Sequence, residues 1–325
     1  MNNFLDPAIL FFLLGILAGL VRSNLEIPPA IARFLSLYLL MALGLKGGFA
    51  LAHSGITTEV ASSLGLAVFL AIAIPLLSYR VLRRLTEPLN AVAIAATYGS
   101  VSAVTFVTTV QFLERQHIAY GGHMAAAMAL MESPAILLAV FMANGLRHQQ
   151  QAQLGQTAAH APMPLRTVLH ESLTDGSQVV LLGAMAVGLL SGEEGKAAMQ
   201  PFSGDLFKGM LAFFLLDMGL LTARNLPLLK SQSRWLLAYA AVAPWVHAAI
   251  ALVLARLLGL NAGDTTLIMV LSASASYIAV PAVLRYAIPE ASASIYVGLS
   301  LGVTFPMNIL VGIPTYAWLA QTVAR

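Results

Sequence analysis

Two stretches of the chain put small and hydroxylated residues where backbone chemistry becomes available. The first runs Ala95-Ala96-Thr97-Tyr98-Gly99-Ser100-Val101-Ser102-Ala103-Val104-Thr105, the second Leu271-Ser272-Ala273-Ser274-Ala275-Ser276-Tyr277-Ile278-Ala279-Val280-Pro281, and each sits in the middle of an apolar run. A helix that unwinds at such a stretch restarts with unpaired N–H groups carrying about half a positive charge. Two such ends meeting supply roughly one positive charge, a match for a small monovalent anion without a buried arginine. Gly99, Ser100, Ser102, Ala103, Val104, Ser274, Ser276 and Tyr277 are therefore the candidate anion-site residues. The competing reading is that Gly, Ser and Ala here only let helices pack closely in a membrane. Two such stretches at equivalent positions favour the break.

Charged residues inside apolar runs are the next candidates, because a Lys or Asp at the centre of a membrane helix costs about 2.5–3.5 kcal/mol and needs a partner or a use. Glu132 precedes Ser133-Pro134, where the proline withdraws a backbone donor and exposes carbonyl oxygens one turn earlier. A carboxylate, hydroxyls and freed carbonyls form the hard oxygen set a small cation prefers. Asn308, just after Pro306, has a comparable setting. A hydrogen-bonded structural acid is the other reading of Glu132. For Asp217 and Lys46, an ion pair between them and cation binding both stand open. The histidines form no HExxH motif, Ser100 and Ser276 have no base at helical spacing, no GxSxG occurs, and the absence of cysteine rules out disulfides and thiolate catalysis.

The elements that must hold these residues are membrane helices. The 325 residues are 59% hydrophobic and 10% charged, more apolar surface than a soluble domain of this size hides. About ten apolar runs fit a hydrocarbon core about 30 Å thick: near 5–21, 30–52, 60–79, 89–113, 122–146, 178–191, 206–221, 235–258, 265–288 and 291–320. The segment Met1–Asp6 lacks a basic region, so the first run reads as a retained span. With the N-terminus outside, most arginines, among them Arg22, Arg33, Arg80, Arg83, Arg84 and Arg147, fall at cytoplasmic ends. Both termini are then outside a plasma (inner) membrane, and the polar connector 147–175 is cytoplasmic. The net charge of +3, without a long basic run, fits loops facing anionic lipid and no nucleic-acid groove.

The two halves of the chain echo each other. Ala42-Leu43-Gly44-Leu45 matches Asp217-Met218-Gly219-Leu220, Ser100-Val101-Ser102 matches Ser274-Ala275-Ser276, and Ser133-Pro134 matches Phe305-Pro306, all in the same order. Five spans per half is odd, so the second half must be inverted relative to the first, as in many secondary transporters. The expected fold is an all-α membrane protein, a 5+5 inverted repeat of residues 1–146 and 176–325 joined by the connector, with two broken helices.

The stretches Ser100-Val101-Ser102 and Ser272–Pro281, with Glu132-Ser133-Pro134, resemble the cyanobacterial sodium-dependent bicarbonate transporter family (SbtA), and the resemblance spans essentially the whole chain. It implies a sodium/bicarbonate symporter in the plasma membrane that forms a homotrimer, feeds a carbon-concentrating mechanism and is bound on the cytoplasmic side by a PII-like regulatory protein sensing adenine nucleotides. It puts the anion by Ser102, Ala103, Ser274, Ser276 and Tyr277, and sodium near Glu132, Ser133, Asp217 or Asn308. Two alternatives remain beside it: a carrier of another small anion or a proton-coupled exchanger relaying through Glu132, and a non-transporting receptor whose connector recruits a partner. Hydroxyls and helix ends select charge and size, so the anion's identity does not follow from the residues alone.

Overall fold

The computed structural model describes residues 6–54, 57–154, 170, 174 and 176–323, and among them the regular structure is all helical. In chain order the helices are α1 (Pro7–Leu20), α2 (Pro29–Ser54), α3 (Thr58–Leu82), α4 (Pro88–Gly99), α5 (Ala103–Arg115), α6 (Met124–Leu154), α7 (Gly176–Met199), α8 (Phe207–Leu229), α9 (Arg234–Leu257), α10 (Ala262–Ala273), α11 (Ala279–Ala287) and α12 (Ala293–Val323). Helix starts follow local chemistry. Pro7 opens α1 behind Asp6, whose carboxylate accepts the Ala8 N–H at 2.9 Å. Thr57 and Asn261 cap α3 and α10 in the same way.

Seven helical runs among the described residues are long and apolar enough to cross a membrane. One of them, Gly176–Leu229, has 54 residues, about 80 Å at 1.5 Å per residue and far beyond one crossing. It is broken in two. Gly192 takes φ 55° and ψ −142°, a conformation that favours glycine, and residues Gln200–Asp205 form a π turn. α6 continues to Leu154, so the first eight residues of the expected connector, including the glutamine tract, are helical rather than linker. Residues 155–169 of that connector lie outside the described residues.

Glycine decides how the halves meet. α1 packs on α8 and α2 on α7. At the first contact a methyl on Gly15 would lie 2.2 Å from the Leu216 carbonyl oxygen, and one on Gly219 would lie 2.2 Å from that of Phe12. At the second, Gly48 and Gly188 face each other, and a methyl on Gly48 would lie 2.1 Å from the Met185 carbonyl oxygen. Only hydrogen fits, so backbones touch, as at small-residue interfaces in membranes.

Two cores flank the breaks. One gathers Val104, Phe106 and Val110 of α5 with Ile268 and Leu271 of α10 and residues of α1, α2, α7 and α8. The other gathers Val92, Ile94 and Tyr98 of α4 with Val280 and Leu284 of α11 and the second half of α6. Each broken span thus sends one half into each core. Two side chains pin the adjoining loops: Asn90 Oδ1 accepts the Ser292 N–H at 2.8 Å, and Asp264 Oδ1 accepts the Gly121 N–H at 2.6 Å.

Candidate functional site

The helix α4 stops at Gly99, and Ser100 is extended (φ −96°, ψ −177°); α10 stops at Ala273, and Ser274 is likewise extended (φ −80°, ψ 168°). A methyl on Gly99 would collide with the ring of Pro75 on α3 at 2.5 Å, so the break packs directly on a proline inside the neighbouring helix. Each chain restarts behind a serine. Ser102 Oγ accepts the Thr105 N–H at 3.2 Å to begin α5, and Ser276 Oγ accepts the Val280 N–H at 3.2 Å to begin α11.

The two breaks cross and are stitched together. The Ser102 N–H donates to Ser274 Oγ at 3.0 Å, and Ser274 Oγ in turn donates to the Leu271 carbonyl at 2.9 Å. The Ser276 N–H donates to the Thr97 carbonyl at 2.8 Å, satisfying an acceptor that the end of α4 leaves open. The carbonyl of Ala273, opened by the end of α10, receives Asn308 Nδ2 at 2.8 Å, and Asn308 Oδ1 accepts the Tyr316 hydroxyl at 3.2 Å. Asn308 stands in one of two π turns of α12, Ser300–Thr304 and Asn308–Gly312.

A cavity of about 60 Å³ lies against the crossing, room for a few waters or one small ion. Ser102, Ala103 and Val104 from the start of α5 line it, as do Ser276, Tyr277 and Ala279 around the start of α11. At the first end the Thr105 and Phe106 N–H groups bond Ser102, leaving those of Ala103 and Val104 at the cavity. At the second, Val280 bonds Ser276 and Pro281 has no N–H, leaving that of Ala279. Two helix starts, each carrying partial positive charge, therefore border one small chamber.

Glu132 of α6 lines the same chamber and accepts a hydrogen bond from Gln178 Nε2 of α7. So of the residues singled out by their types and spacing, the structure gathers Ser102, Ala103, Val104, Ser276, Tyr277 and Glu132 around one space. Ser274 stands one hydrogen bond behind it. Gly99 and Ser100 are buried in the break without lining the cavity, Ser133 follows Glu132 on α6, and Asp217 and Asn308 sit on α8 and α12. Tyr277 reaches toward α8, its hydroxyl 3.7 Å from Met218 Sδ beside Asp217.

One correction and one omission emerge. Lys46 does not pair with Asp217: its Nζ lies 2.9 Å from Glu114 Oε1 on α5 and 4.3 Å from the centre of the Phe207 ring. The matching positions of Lys46 and Asp217 along the two halves of the sequence do not make them neighbours. Glu114 lies near the end of α5, where it reads as a helix-end charge rather than a partner. The omission is Gln178, with Ser36 and Ser177, all of which line the cavity. Gln178 opens an apolar run and so looks like a boundary residue; the signal was that a carboxylate inside a span requires a donor.

The family model for the Na+-dependent bicarbonate transporter superfamily matches residues 7–321. The chain belongs to that superfamily, a family of transporters and not of enzymes, and is a multi-pass membrane protein. No curated protein matches it.

Proposed function

We propose that this member of the Na+-dependent bicarbonate transporter superfamily is a sodium-coupled bicarbonate symporter that binds the anion between the starts of α5 and α11 and works by alternating access. The observation that carries this reading is the shared chamber: two helix starts and the Glu132 carboxylate border the same 60 Å³. Helix starts attract an anion, and Glu132 repels it. At an effective dielectric of about 20, two like charges about 4 Å apart repel by about 4 kcal/mol. A sodium ion between carboxylate and anion turns that repulsion into attraction on both sides. Binding of the cation thereby completes the anion site, which is the coupling a symporter needs.

Sodium is cargo here, held by Glu132 and Ser133, with Asp217 and Asn308 the further oxygen donors within the bundle. The energetic logic agrees. Carrying one monovalent anion into a cell held near −100 mV costs about 2.3 kcal/mol, and one sodium ion cancels that cost. Any sodium gradient then supplies the drive.

The 5+5 inverted repeat is supported by a packing pattern that returns when the halves are exchanged. The first span lies on the seventh and the second on the sixth, α3 lies on α4 as α9 lies on α10, and glycine marks both cross-half contacts. Counting the two parts of Gly176–Leu229, the short α1 and the broken α10–α11 gives ten crossings. In this reading α1, α2, α7 and α8 form the frame, and α3–α6 with α9–α12 rock against it. The bias of the arginines supports termini outside and a cytoplasmic connector. The homotrimer and the PII-like, nucleotide-sensing partner come from the family resemblance and belong to the same proposal.

Labelled-bicarbonate uptake into proteoliposomes tests it, with external sodium replaced by potassium. Uptake is expected to collapse. Unchanged uptake overturns the coupling, and uptake that follows external pH at fixed bicarbonate favours a proton-coupled exchanger instead.

A further inference from the structure

Three cavities follow one another along the seam between α2 and α6. The chamber at the helix crossing is bordered by Leu40 and Met128, a second of about 130 Å³ by Leu43 and Ala125, and an open vestibule of about 1070 Å³ by Ala50 and Gly122. Positions 40, 43, 46 and 50 of α2 recur every three or four residues, so one face of that helix runs past all three spaces. Lys46 lines both the vestibule and the middle cavity.

The setting of Lys46 is unusual for a structural ion pair. Its partner Glu114 belongs to α5, the helix whose other end makes the anion chamber, whereas Lys46 belongs to α2 in the proposed frame. Both side chains stay partly open to the vestibule, 24% and 32% exposed. Tyr120 donates its hydroxyl to the same Glu114 oxygen at 3.1 Å. Burial, with Glu114 beside it, holds the Tyr120 phenol well above its ordinary pKa, so it remains a donor across the physiological range. Glu114 therefore keeps a hydrogen bond when Lys46 leaves it.

We infer that Lys46 is a second binding station for a small monovalent oxyanion, reached from the vestibule before the crossing, and that Glu114 is the internal anion it exchanges for the incoming one. The paired state closes the seam. The exchanged state points a cation and its anion toward the middle cavity. The inference rests on the anion-carrier reading above and extends it to a position that reading does not use.

The test does not depend on bicarbonate uptake. The chain has no cysteine, so Val110→Cys reports from the wall of the middle cavity alone. Protein in proteoliposomes is treated from each side with anionic sulfonatoethyl and cationic trimethylammonioethyl methanethiosulfonates, neither of which crosses the bilayer. From the vestibule side the anionic reagent is expected to react about tenfold faster than the cationic one, the scale on which a charged cleft focuses ions. That ratio should fall to one or below with Lys46→Gln and persist with Lys46→Arg, while Glu114→Gln raises it. Using the ratio cancels changes in thiol reactivity, and Leu43→Cys repeats the measurement if Val110→Cys folds poorly. A ratio indifferent to Lys46→Gln, or no reaction from the vestibule side, overturns the station. A shifted ratio in a chain that moves no bicarbonate upholds the station and overturns only the choice of cargo.

Discussion

Asn90 and Asp264 do one job at two places. They stand 174 positions apart (90 to 264), the same interval that separates Ser102 from Ser276, and each lies in the first turn of the leading half of a broken span. Asn90 holds the backbone N–H of Ser292 in the loop before α12, and Asp264 holds that of Gly121 in the loop before α6. Each half of the chain thus anchors the final span of the other. Asp264 is fully buried and is further bound by Asn261 Nδ2 at 2.9 Å, with His123 Nε2 3.6 Å away.

Asp264→Ala and Asn90→Ala each deprive a half-buried backbone N–H of its acceptor, a loss of about 1 kcal/mol. Both variants should unfold at lower temperature in detergent than the parent. Asp264→Asn keeps an acceptor and should lose less; equal loss in Asp264→Asn and Asp264→Ala would show that the charge, and not the hydrogen bond, does the holding.

Ser102→Leu and Ser276→Leu each bring a bulky side chain to the wall of a cavity of about 60 Å³. Uptake should stop in both, whereas Ser102→Ala should retain some, having lost a helix cap worth about 1 kcal/mol. Parental rates in both leucine variants would move the anion elsewhere.

Glu132→Gln keeps an amide for Gln178 to bond but removes the charge proposed to draw sodium. The sodium concentration for half-maximal uptake should rise about tenfold, corresponding to about 1.4 kcal/mol, while size-exclusion behaviour stays that of the parent. Loss of the folded species instead would make Glu132 a structural acid.

Gly15→Ala and Gly48→Ala test the crossings of α1 with α8 and α2 with α7. A methyl must displace a backbone carbonyl in each case, and overpacking of this kind costs about 1–3 kcal/mol. A lowered unfolding temperature is expected in both; Gly65→Ala, where a methyl meets nothing within 4 Å, serves as the control.

Much of this architecture was legible in the residues. Ser100-Val101-Ser102 and Ser274-Ala275-Ser276 marked both breaks because serine side chains bond nearby backbone groups in competition with a continuous helix. The acid at Glu132 announced itself because a carboxylate in an apolar run needs a reason. What stayed hidden was everything set by which helix faces which. Lys46 gave no sign that its partner was Glu114, since the choice depends on α2 lying beside α5. Gln178 looked like the edge of a span until α7 was seen to bring it to Glu132. The π turns at Gln200–Asp205, Ser300–Thr304 and Asn308–Gly312 leave no signature in composition, being answers to packing rather than to local preference.

The glycine contacts of α1 with α8 and of α2 with α7 also bear on biogenesis. Synthesis runs from the N-terminus, so α1 and α2 enter the bilayer before α7 and α8 exist. Until α7 and α8 arrive, Gly15, Gly44 and Gly48 face lipid across flat strips of bare backbone. Neither half is expected to mature alone, and co-expressed fragments ending and beginning within the connector should rescue each other where either by itself is degraded.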